Sequence, residues 1–566
     1  MVSFKLIIKL LSQILFLTIV FTSLNAKSLD KYNKASNISN YFSGILSISE
    51  DEHNKSYNFL KRLNGLEDYH KNYASVYLSA LVKNKQFKEA YRYAKKIEAK
   101  NIEYFNSDLI IGTYYIKNNN LKKAKIYFDK INNIEEQSVF NRIIAQTLNF
   151  WMNADTNELT KNNNFNVFGA EFENIKKIQN VFFNCFADNE ETEKSFIELI
   201  SNNKVNFSRY NYFYANYLVS KNKVSKSLEF LNDALSENPR NLMLNQMKIN
   251  LQKERKIFAN QFDCKKLSHN IAEFYYLLAN LLSSQSLYSM SNFYLSLAKY
   301  LNPNLISYDT LYAENLSFND KLKEANKIYN QIKIYGEIYN WHATKKIISL
   351  DLENKIEDEK KIKILENSFN NITEPNVFHK YDYANLLRRY KNYNQSISQY
   401  SSILKTINFE HELYAKVTDG RGIAYERIGN WEDAEKDFLN SLSQNPNQPY
   451  VINYLAYSWV DKGMNISKSL EMLRKANELK KNDGYIIDSL GWALYKLNKF
   501  EEAKKYLEKA VTLMPSDPVV NDHYGDSLWM NGNKLQARYY WKYVLKLEDT
   551  KEDLKKILRD KLIFGL

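Results

Sequence analysis

The sequence predicts an all-α fold, an α-solenoid wound as a right-handed superhelix from stacked helix–turn–helix repeats. Three observations predict it. A small residue preceded by a large one recurs at a spacing of 34, as in Leu490-Gly491 and Tyr524-Gly525. Only 14 Gly and 7 Pro occur in 566 residues, too few for the turns of an all-β fold. All seven prolines also avoid predicted helix interiors: Pro239, Pro303, Pro375, Pro446 and Pro515 separate units, while Pro449 and Pro518 open them.

Taken in chain order, residues 1–26 come first. Lys5 and Lys9 precede an apolar run from Leu10 to Val20, and Ser23, Asn25 and Ala26 give a polar end with a small residue. That layout is a signal peptide, its core too short for a comfortable membrane span. Export to a bacterial periplasm is expected. The alternative is an uncleaved inner-membrane anchor over residues 4–24, the one route to membrane contact. Residues 27–58 are expected to cap the array.

Residues 59–410 carry divergent repeats. Their small residues are Leu78 (a large exception), Gly112, Ala215, Ala279, Ala313 and Ala384, while 140–205, 245–270 and 340–375 match loosely. Residues 411–548 are the regular repeats, built on Gly422, Ala456, Gly491 and Gly525. From Gly491 the pattern runs to Leu494 at +3, Ala503 at +12, Leu507 at +16 and Ala510 at +19. The small residue lets the second helix of a unit approach the first, and the bulky +16 residue is expected to fill the gap between neighbouring units. Gly429, Gly463, Asn498 and Gly532 suit left-handed turns between the helices. Residues 549–566, with Leu554, Ile557, Leu558 and Leu562 at helical spacing, read as a C-terminal capping helix.

This pattern resembles the tetratricopeptide repeat over most of residues 60–548. The run DGYIIDSLGWALYKLNKFEEAKKYLEKAVTLMPSDPVVNDHYGD is similar to the C-terminal repeats of exported proteobacterial tetratricopeptide proteins. Some of those are outer-membrane lipoprotein adaptors for a periplasmic C-terminal processing protease. The resemblance implies protein partners and, as a narrower alternative, recruitment of substrates to such a protease. The chain departs from those relatives in having no cysteine before Cys185, hence no lipid-bearing one.

Composition excludes several other classes. Lys+Arg number 78 against 65 Asp+Glu, but the signs are interspersed rather than gathered into a basic stripe, so no nucleic-acid partner is expected. The 43 Tyr and 31 Phe supply ample surface to bury, unlike a disordered chain. None of the seven His is spaced for a zinc helix, no Gly-rich phosphate loop occurs, and neither Cys has a CxxC partner. No enzyme activity, metal or cofactor is therefore expected. His523 reads as a surface residue. Cys185 and Cys264 lie in different repeats, beyond the ~7 Å Cα separation that a disulfide tolerates, so two buried free thiols are expected.

A binding wall is expected instead. Counted from the small residue, offsets −6, −3, +1 and +4 point about 130° away from the packing face. Among these positions, the candidate peptide-binding residues are Asp419, Tyr450, Asn453, Tyr457, Tyr485, Asp488, Trp492, Tyr495, Asp522, Asp526 and Trp529. Exposed aromatics on a rigid groove are typical hot spots. Packing between first helices is the rival role for Trp492 and Trp529, and helix-start acidity the rival for Asp488 and Asp522. Because Asp419, Asp488 and Asp522 would repel a carboxylate, the expected ligand is an apolar, neutral-to-basic segment, extended or helical. Asn216, Asn280 and Asn385, at the +1 position of upstream repeats, could hold a partner's backbone.

Overall fold

A computed structural model describes residues 34–566, except 51, 103, 135–136, 155–171, 202–206, 255–260 and 351–355. The expected signal peptide lies outside the described residues. Among those described, the fold is an all-α solenoid of 29 α-helices with no strand, running from Ala35–Ser49 to Glu552–Phe564.

The hairpins close where the small residues are. A Cβ added to Gly112, Gly422, Gly491 or Gly525 would lie 2.3, 2.9, 2.6 or 2.6 Å from Phe128, Phe438, Leu507 or Trp541, respectively. Each of those partners is the +16 residue of the same hairpin. The bulky +16 side chain thus sits on its own unit's small residue, rather than in the gap between units. Where the +12 residue is Ser, its hydroxyl donates to the carbonyl of the small residue. Ser227, Ser291 and Ser396 reach Ala215, Ala279 and Ala384 at 3.0, 2.7 and 2.8 Å. Gly429, Gly463, Asn498 and Gly532 all have the positive φ expected of the turns, and Lys85, Asn119, Asn222, Ser286, Asp320 and Lys391 take it in the divergent repeats. Pro449 and Pro518 each open a helix.

The chain forms two compact units, residues 1–355 and 356–566. In the first, one hydrophobic core runs from Leu60 to Leu311. The hairpin of Leu267–Ser284 and Tyr288–Leu301 packs back on the first helices of early repeats. Thr113 Oγ1 and Tyr275 OH share a buried hydrogen bond of 2.7 Å, and Phe87 stacks on Tyr300 at 4.1 Å. Lys117 Nζ donates to the Leu301 carbonyl at 3.3 Å. Arg209 forms a bidentate pair with the fully buried Glu273, both bonds 2.7 Å, and also donates to Ser307 at 3.0 Å.

This fold-back corrects the expectation for the cysteines. Cys185, at the end of Glu173–Phe186, and Cys264, in the segment leading into Leu267–Ser284, are disulfide-bonded with Cα atoms 5.9 Å apart. In a straight stack they would be remote; here the returning hairpin carries one to the other. The upstream asparagines are similarly engaged. Asn216 does hold a backbone, but its own chain's, donating to the Phe262 carbonyl at 2.9 Å, and Asn385 accepts from Tyr400 at 2.7 Å. Asn280 is exposed.

The second unit keeps smaller, successive cores. Its regular part pairs Tyr414–Arg427 with Trp431–Gln444, Pro449–Asp461 with Ile466–Leu479, Gly484–Lys496 with Phe500–Leu513, and Pro518–Met530 with Lys534–Val544. Glu552–Phe564 follows as the terminal helix, with Leu558 fully buried.

Candidate protein-interaction surface

The first helices of these four hairpins carry all eleven candidate residues, and the structure sorts ten of them into three groups, with Asp419 apart. Tyr450 and Tyr485 are the open ones, 54% and 59% exposed. Tyr450 OH donates to Asp483 Oδ2 at 3.1 Å, and the Lys480 ammonium lies 4.1 Å from its ring centroid. Each Tyr stands near the start of its helix, at the −6 position, where the next turn does not cover it.

A second group is an aromatic cluster in which Trp492 and Asp488 are buried rather than exposed as the sequence implies, and Tyr495 is half-buried. Trp492 stacks between two rings: Tyr495 at 4.8 Å with a 5° tilt, and His523 at 3.9 Å with a 10° tilt. His523 comes from the following repeat and is buried, not on the surface as its sequence position implies. Its Nδ1 contacts both carboxylate oxygens of Asp488, at 3.1 and 3.0 Å. Burial pulls the imidazole pKa down, but Asp488, with Asp522 and Asp526 behind it, outweighs burial and leaves the value raised. The raised value favours the protonated ring against Asp488. Tyr457 and Asn453 are half-buried in the preceding repeat. Asn453 Oδ1 and Trp492 Nε1 are both buried without a hydrogen-bond partner. One is an acceptor and the other a donor, the pair of groups a peptide bond needs.

The third group is covered by the chain's own terminal helix. Lys561 Nζ donates to Asp522 Oδ1 at 2.7 Å and to both oxygens of Asp526, at 2.7 and 2.8 Å. Trp541 Nε1 adds a bond to Asp526 Oδ1 at 3.0 Å. Burial, then the neighbouring Asp522, push the Asp526 carboxyl up to about 6 despite Lys561. Gly565 lies against Trp529, where a Cβ would come within 2.1 Å of the indole. Asp419 stands apart in the first of the four hairpins; burial raises its pKa to about 6, with Arg388 opposing.

Sequence reasoning missed Lys561, His523 and the capping glycine Gly565 as parts of this surface. Lys561 carried a signal: it sits at the end of an apolar helical stripe, one residue before Leu562. Among the described residues no cluster of three His, Cys, Asp or Glu could hold a metal ion, and no helix is long and apolar enough to cross a membrane.

The sequence profile of the tetratricopeptide repeat family matches residues 486–517, which span Gly484–Lys496 and Phe500–Leu513. Residues 486–517 are thus similar to a tetratricopeptide repeat. A tetratricopeptide repeat-containing protein of Pseudomonas aeruginosa, PA4667, is 29% identical over 106 residues, 19% of this chain and 18% of that protein. The chain therefore matches less than a fifth of that relative's length. Among solved structures, a tetratricopeptide repeat protein from Parabacteroides merdae aligns at 16% identity, covering 39% of this chain and 85% of that one, with a TM-score of 0.31. Pseudomonas aeruginosa pilF aligns at 15% identity over 33% of this chain and 85% of its own, with a TM-score of 0.28. Tetratricopeptide repeats serve as scaffolds for protein–protein interaction.

Proposed function

We propose that this tetratricopeptide protein is a non-enzymatic, exported scaffold or adaptor that holds a segment of a partner protein on the wall between Tyr450 and Tyr495. The unpartnered acceptor of Asn453 and donor of Trp492, on the first helices of adjacent repeats, carry the reading. Each is a buried polar atom whose desolvation stays uncompensated, about 1–3 kcal/mol, until a ligand supplies the missing bond. The exposed rings of Tyr450 and Tyr485 favour an apolar segment, and Asp483 beside Tyr450 disfavours an acidic one. Export is supported by the basic start with its apolar run, and by the Cys185–Cys264 bond, which belongs in an oxidising compartment.

The test uses the exposed pair. Tyr450→Ala with Tyr485→Ala removes two surface rings and leaves the Trp492 stack intact. Partner capture from envelope extracts is expected to fall while the melting temperature holds; unchanged capture by the folded variant would overturn the assignment. The identity of the captured protein also separates a general scaffold from an adaptor dedicated to a protease.

A further inference from the structure

The first unit contains a cavity of about 520 Å³ between its N-terminal helices and a much later hairpin. His53 opens the helix His53–Lys61, and Lys83 and Lys85 end the helix and turn that follow. Tyr312 and Leu316 face the cavity from Ser307–Phe318, and Ile328 from Leu322–Ile332. The volume is within the ~300–1,000 Å³ typical of small-molecule sites.

Two features of the lining are hard to explain as packing. Both imidazole nitrogens of His53 are buried, and neither has a hydrogen-bond partner. A purely structural residue at this position would more economically be a Phe, since each orphaned polar atom forfeits its solvation. The second feature is charge. Among the described lining residues, the exposed Lys85 and Lys327 contribute two ammoniums against the carboxylate of Glu324. Glu52 is engaged by Lys55 at 2.8 Å, and Lys83, 4% exposed, is already engaged, donating to Ser289. A surplus of positive charge thus surrounds an apolar wall. Burial, then Lys83 and Lys85, hold the His53 pKa down at about 3, so the ring is neutral, with one N–H to donate.

We propose that this cavity binds a small organic anion, its head group among His53, Lys85 and Lys327 and its apolar body on Tyr312, Leu316 and Ile328. The lysines supply long-range attraction and the imidazole a directional donor, while the apolar wall rejects inorganic ions that have no body to bury. The site is separate from the peptide wall and does not depend on it.

Calorimetric titration of the full chain with benzoate, and with the neutral isostere benzamide, tests this. Benzoate is expected to bind saturably and benzamide not to. His53→Phe keeps the ring and removes the nitrogens, so it should abolish benzoate binding while leaving the melting temperature unchanged or higher. Lys85→Gln and Lys327→Gln, both on exposed side chains, should each weaken benzoate by about threefold or more, and they decide the matter if the His53 variant does not fold. Absence of saturable benzoate binding, equal binding of benzamide, or indifference to the lysine variants would each overturn the proposal.

Discussion

At Gly525 the hydrogen of Cα is all the space allows, because Trp541 Nε1 would lie 2.6 Å from a methyl group there. That same indole nitrogen donates to Asp526, so a methyl group would disturb both packing and a hydrogen bond. Gly525→Ala gains about 1 kcal/mol of helix propensity and loses about 1–3 kcal/mol to overpacking. The expected outcome is a net lowering of the urea midpoint, the reverse of what an exposed helical glycine would show. Trp492→Ala should behave differently from the exposed tyrosines. It removes the middle ring of a three-ring stack and uncovers the His523–Asp488 pair, so a loss of about 3–5 kcal/mol is expected. The small-residue positions were legible because helical period fixes which face a residue occupies. Whether Trp492 faces a partner or a neighbour was not, because His523, which caps it, comes from the next repeat and period says nothing about that distance.

The hairpin as an element was the most legible part of the molecule, since the 34-residue register places its helices, its turn and its contact residues together. The turns also show where the sequence is imperfect. Lys391 has a φ of 62° and is exposed, at the position that Gly429, Gly463 and Gly532 fill in the regular repeats. A side chain in that conformation is unfavourable by about 1–2 kcal/mol. Lys391→Gly should therefore raise the thermal midpoint of the second unit. The capping helix was visible as an apolar stripe, but its ionic anchor was not, since Lys561 and its acceptors are separated by more than a repeat. Lys561→Gln leaves Asp522 and Asp526 buried side by side, a change of about 3–5 kcal/mol when one partner of a buried ion pair is removed. Hydrogen exchange over residues 552–564 should accelerate accordingly. Asp526 stands at about 6 with Lys561 lowering it, so its pKa rises further in the variant, and protonation should shrink the defect already as pH falls through a range above 6.

Over the whole molecule, each unit has its own response to acid. In the first, burial holds His53 and His342 near 3 and His269 near 4, all below the ordinary 6.5. Such groups bind more protons unfolded than folded, so their stabilisation is complete above pH 6.5 and is lost as pH falls towards the folded values. In the second, His523 is raised, and its contribution is present below 6.5 and lost as pH rises through its folded value. Asp419 and Asp526, raised to about 6, act in that same direction. Histidine ring resonances followed from pH 8 to 5 should show His53 and His342 unprotonated throughout, and His523 protonated at a pH where the others are not.

The largest departure from the sequence reading is also at this scale. Repeat periodicity describes neighbours, and nothing in it signals that the hairpin at 267–301 returns to the repeats at 71–117. The disulfide closes that return, joining residues 79 apart in sequence. Closing a loop of such length restricts the unfolded chain by about 4 kcal/mol on the chain-entropy account. Replacing Cys185 and Cys264 together by Ser should remove that constraint and leave the hairpin contacts in place. Amide exchange is then expected to quicken across 173–200 and 261–301, and to stay unchanged in the hairpins of 414–544. Should exchange in the first unit be unaltered, Thr113–Tyr275, Phe87–Tyr300 and the buried Arg209–Glu273 pair are sufficient to hold the fold-back without the disulfide.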